Sequence, residues 1–70
     1  MANCNIRNNV RELRAAANDM TQQQLAECIG VTRQTVVAIE KAKYSPSLEV
    51  AFRIAATFEV PLDEVFSYDP

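Results

Sequence analysis

Apolar residues recur along this chain at spacings of three and four, and the pattern predicts helices. Ile6, Val10, Leu13 and Ala17 fall at i, i+4, i+7 and i+11, one stripe of a first helix that Asn18-Asp19 closes. Thr21 is a good N-cap, and Gln24 three residues on completes a capping box for a second helix over about 22–29. Gly30 ends it with the residue best able to adopt positive φ. Thr32 caps a third helix over about 33–42, and Ser45 or Ser47 caps a fourth over about 47–58. Pro61 suits the first turn of a short fifth helix that runs through Phe66. No strand pattern breaks the middle of the chain, although Val65-Phe66-Ser67-Tyr68 can extend as a strand at the end. The expectation is an all-α, five-helix domain spanning 1–70.

The most informative stretch is Gln22 to Lys41, "QQQLAECIGVTRQTVVAIEK". Two short helices crossing steeply over a tight turn impose demands at fixed offsets. The first must offer apolar residues to the core, here Leu25 and Ile29, and a small residue where its partner crosses, here Ala26. The turn needs Gly30 followed by an apolar plug, Val31, and the second helix must bury two residues three apart, Val36 and Ile39. Every demand is met in register.

Length and composition narrow the field. A 70-residue chain buries roughly 60% of the surface its unfolded form exposes, so it gains from a staple or a partner. The two cysteines, Cys4 and Cys28, follow no recognisable signal segment, and no apolar run nears the about 20 residues that span a bilayer. A cytoplasmic protein with both thiols reduced is expected. Two cysteines 24 residues apart with no histidine cannot hold a structural zinc. Without histidine or a glycine-rich phosphate loop, neither catalysis nor a cofactor is expected. The net charge of −2 hides a polarity. Residues 1–43 hold six basic and four acidic side chains, whereas residues 44–70 hold Arg53 alone against five acids. One end can therefore meet phosphates while the other stays away.

In "RELR" and in "MTQQQLAECIGVTRQTVVAIEKAKYSPSLEVAFRIAATFEVPLDEVF" the chain resembles the phage-repressor and Cro-like helix-turn-helix regulators, the xenobiotic-response-element family, in its compact stand-alone form. The resemblance implies double-stranded DNA as partner, with the third helix in the major groove and its first residues at the base edges. Gln34, Val37, Ala38 and Lys41 then share one outward face. Gln34 is the best base reader, because an amide bonds an adenine edge bidentately; Arg33 reads a guanine or clamps a phosphate. Thr32 and Thr35 flank them on the first turn. Val37 and Ala38 depart from the polar residues common at these positions in the family, and either pack on a thymine methyl or are tolerated as surface. Thr21 and Gln22, at the start of the second helix, suit a phosphate. Lys43, Tyr44 and Ser45 resemble the family's second backbone-contacting loop, although Tyr44 serves equally well to pack on the fourth helix. Arg14 and Glu40 occupy positions that commonly form an ion pair in the family, and Ala42 stands where Gly or Asn is usual.

The fourth helix is apolar at eight of eleven positions, too many for one core face. Phe52, Ile54 and Phe58, joined by Phe66 and Tyr68, are the expected contacts of a homodimer. The rival reading is a protein-interaction module that keeps this fold without binding DNA, which the acidic net charge favours. A small buried or half-buried role is the simpler account of Cys28 than a redox switch.

Overall fold

A computed structural model describes residues 6–68. In chain order the elements are β1 (Ile6–Asn8), α1 (Val10–Ala16), α2 (Gln22–Ile29), α3 (Arg33–Glu40), α4 (Leu48–Phe58), α5 (Leu62–Val65) and β2 (Phe66–Tyr68). The molecule is mostly helical, as its periodicity predicts, with one addition at its ends. β1 and β2 form a two-stranded antiparallel sheet in the register Ile6–Tyr68, Arg7–Ser67, Asn8–Phe66. The tail strand was legible in the sequence; its partner was not. Ile6 belongs to β1 rather than to the stripe of the first helix, which starts at Val10. Cys4 lies outside the described residues.

The core gathers one to three residues from every helix. Val10, Leu25, Ile29, Val36, Ile39, Ile54 and Val65 are each no more than 2% exposed. Burying one such side chain stabilises the fold by about 1.5–3 kcal/mol. Ile54 is wholly enclosed within the single chain, which removes it from the expected dimer contacts. It belongs to the core cluster with Leu25, Ile29 and Val65, and α4 packs against α2 and α5. Phe58 packs against that cluster and is half-buried, whereas Phe52 is 56% and Tyr68 69% exposed.

Local chemistry sets the helix ends. Thr21 accepts a hydrogen bond from the Gln24 N–H at 3.0 Å, and the Gln24 side chain accepts one from the Thr21 N–H at 2.8 Å. This capping box opens α2 as the sequence predicts. Thr32 caps α3 through the Thr35 N–H, and Ser47, not Ser45, caps α4 through that of Val50. Gly30 turns the chain with φ 75° between α2 and α3, and Val31 closes onto the core. Arg53 secures this turn from α4, donating to the Ile29 carbonyl at 3.1 Å and to Glu49 at 2.6 Å.

Candidate nucleic-acid interface

The outer edge of α3 faces an open cleft of about 710 Å³ between it, α1 and the start of α2. Arg33, Val37, Glu40 and Lys41 line it from α3, and Thr21, Gln22 and Gln23 from the second helix and its cap. Arg33, Gln34 and Lys41 are exposed; Val37 and Ala38 are half-buried, so the outward face is less open at its centre than its spacing suggests. Arg33 and Lys41 have no acidic partner among the described residues, and their charges are available to an anion.

A network anchored on Glu40 holds the cleft's shape. Arg14 Nε lies 2.6 Å from Glu40 Oε2, Arg14 Nη2 donates to Oε1 at 3.1 Å, and Gln22 Nε2 donates to Oε1 at 3.1 Å. Arg14 also donates to the Met20 carbonyl at 2.8 Å. The two charged side chains are 15% and 8% exposed, and one carboxylate thus ties α1, α2 and α3 together. The hydrogen bond to Glu40 holds the Arg14 guanidinium above the ordinary arginine range; burial opposes this, and the charge of Glu40 adds to it. Arginine is therefore charged at any working pH, and the pair acts as a fixed brace. The pair is the one expected from the family resemblance. Gln22, expected to offer its side chain to a phosphate, spends one of its two amide hydrogens on Glu40; its first-turn backbone N–H has no partner within the helix.

The remaining expected contacts follow α3. The hydroxyls of Thr32 and Thr35 are 3.0 Å apart, and Lys43, Tyr44 and Ser45 form the exposed turn that leads to α4. Tyr44 is 52% exposed, more open than a packing role on α4 predicts. Cys28 is exposed on α2, away from the buried or half-buried place expected for it. Three further groups, not expected from the sequence, complete the site and its supports. Arg11 lines the cleft from α1. Asn8 donates to the Ile39 carbonyl at 2.9 Å, and Asn9 donates through its side chain to the Glu64 carbonyl at 3.1 Å and through its backbone to that of Val65 at 2.9 Å. For Arg11 the signal was its spacing, one helical turn before Arg14 and on the same face.

A helix pair joined by a left-handed glycine, with the second helix presented along a partly cationic cleft, defines a helix-turn-helix protein. The helix-turn-helix family pattern matches residues 10–65, and the chain belongs to the Cro/C1-type helix-turn-helix family of transcriptional regulators. It is 47% identical over 64 residues to an uncharacterized HTH-type transcriptional regulator of Methanocaldococcus jannaschii, covering 91% of this chain and 96% of that one. It is 48% identical over 61 residues to another from Bacillus subtilis, covering 87% and 91%. It is also similar to the cryptic phage CTXphi transcriptional repressor RstR of Vibrio cholerae, 38% identical over 58 residues, 83% of this chain and 51% of that protein.

Proposed function

We propose that this chain is a sequence-specific repressor that binds a palindromic operator as a homodimer and acts by occupying promoter DNA in the cytoplasm. The observation that carries the reading is the edge of α3, where Arg33 and Lys41, without acidic partners among the described residues, flank Val37 on one open cleft, with Gln34 exposed beside them. In this reading Gln34 bonds an adenine edge, Arg33 a guanine or a phosphate, and Val37 and Ala38 pack on thymine methyls. Thr21, Gln22, Thr32, Thr35, Lys43, Tyr44 and Ser45 fix the register on the backbone. Likeness to a named phage repressor supports repression rather than activation.

Selection of binding sites from random duplexes, followed by a salt titration on the recovered site, tests this. The expected result is a short palindrome containing A·T pairs, with affinity falling by orders of magnitude between about 50 and 200 mM salt. A flat salt response, or no enriched sequence, favours the protein-interaction module that the net charge of −2 also fits.

A further inference from the structure

The cleft beside α3 has a third wall that lies outside the helix-turn-helix. Arg11, Arg14 and Ala15 line it from α1, at i, i+3 and i+4 of one helical face. The charge of Arg14 is already committed to Glu40 at 2.6 Å. Arg11 is exposed and, like Arg33 and Lys41 across the cleft, has no acidic partner among the described residues. Asp19 is the one carboxylate in the lining that the Arg14–Glu40 pair does not account for. Three uncompensated cations against one anion make this cleft locally positive on a chain whose net charge is −2. Such a concentration of charge raises the local population of an anion.

We propose that Arg11 is a phosphate-binding residue, the α1 wall of a cleft that takes the sugar–phosphate backbone of the bound duplex between α1 and the recognition helix. This rests on the DNA-binding reading above and extends the contact surface to a helix that the reading leaves unused. The shape of the cleft favours a strand over a free ion. At about 710 Å³ and open to solvent, it is far larger than one phosphate needs, and its cations stand on two separate helices. A strand running along the cleft meets both. Contact from Arg11 positions the protein without reading sequence, since a phosphate oxygen is the same at every base.

The test is a salt titration of full-length wild type, Arg11→Ala and Arg11→Lys on two probes, the duplex recovered by selection and a mixed-sequence duplex. Arg11→Ala should lower the log–log salt slope by about 0.9 for each protomer bound and weaken both probes by a similar factor. Arg11→Lys should restore the slope. Should Arg11→Ala prove poorly folded by circular dichroism, Arg11→Gln carries the same expectation with the side-chain stem retained. A salt-sensitive wild type whose slope and affinity survive Arg11→Ala overturns the proposal while leaving the DNA reading intact. So does a loss confined to the selected duplex. A wild type indifferent to salt overturns both. Inorganic phosphate competing at concentrations too low to act through ionic strength would assign the cleft to the free ion and overturn the strand.

Discussion

Four helices end in left-handed backbone, the first at Asn18 with φ 59°, and glycine stands at only one of them. Gly30 follows α2 with φ 75°, but Ala42 follows α3 with φ 57° and Glu59 ends α4 with φ 57°. At Ala42 the hydrogen bonds are those of a Schellman motif: the Ala42 N–H donates to Ile39 at 2.9 Å and that of Lys43 to Ala38 at 3.0 Å. The Cβ of alanine crowds the carbonyl there, costing about 1 kcal/mol, and the exposed methyl gives little in return. Ala42→Gly should therefore stabilise the protein by roughly 0.5 kcal/mol, after glycine's greater freedom in the unfolded chain is counted. Thermal unfolding should show a rise of a few degrees. A fall in melting temperature would mean that the turn is not strained. On the proposed contact face, Gln34 and Lys41 should fail differently. Gln34→Ala should cost about 1–3 kcal/mol on the selected site and relax preference at one base pair. Lys41→Ala should weaken selected and mixed duplexes alike. Equal behaviour of both variants on both probes would reject the assigned readout.

Among the elements, the terminal sheet does more than tidy the chain ends. Asn8, in β1, donates to the last-turn carbonyl of Ile39 in α3 and accepts from the Val10 N–H at 3.2 Å, at the start of α1. Next to it Asn9 holds the carbonyls of Glu64 and Val65 in α5. One dipeptide thus joins β1 and α5 to the foot of α3. Asn8→Ala should cost about 1–3 kcal/mol, because the half-buried Ile39 carbonyl group loses its donor. Chemical denaturation measures this, and a loss below about 0.5 kcal/mol would show that solvent replaces the amide. This is also where the sequence was least legible. The caps at Thr21 and Thr32, the Gly30 turn and the core pair Val36 and Ile39 depend on neighbours within four residues, and so are legible in the sequence. β1 depends on residues 60 positions away. Ile6 fits a helical stripe with Val10 just as well as it fits a three-residue strand, so only pairing with Tyr68 decides. Distance in sequence hid Arg11 in the same way. Its own helix shows an exposed arginine, and only the arrival of α3 makes a cleft of it.

At the scale of the whole molecule, the apolar surface that one copy leaves uncovered argues for a second copy. Leu48 is 72%, Phe52 56% and Tyr68 69% exposed, and an almost wholly apolar groove of about 440 Å³ runs between Ile6, Leu62, Phe66 and Tyr68. Leu48 and Phe52 stand one turn apart on α4, so they form a stripe rather than scattered exposures. Soluble monomers seldom carry extended apolar patches, and a stripe and an apolar groove on one small domain both call for cover. For the proposed palindrome to be read from one side, the two copies of α3 must stand near one duplex turn apart, about 34 Å. The fourth-helix residues divide the predicted outcomes. Phe52→Glu should leave the fold intact and shift the dimer to monomer in sedimentation at micromolar concentration, since it buries a charge only when two copies meet. Tyr68→Glu should act in the same direction. Ile54→Ala should instead cost about 2–5 kcal/mol of stability, because its cavity opens in the core of each protomer. In a domain this small that is a large share of the whole, so Ile54→Ala should melt early at any protein concentration. Wild type sedimenting as a monomer at micromolar concentration, with Phe52→Glu binding the palindrome as tightly as wild type, would remove the dimer from the mechanism.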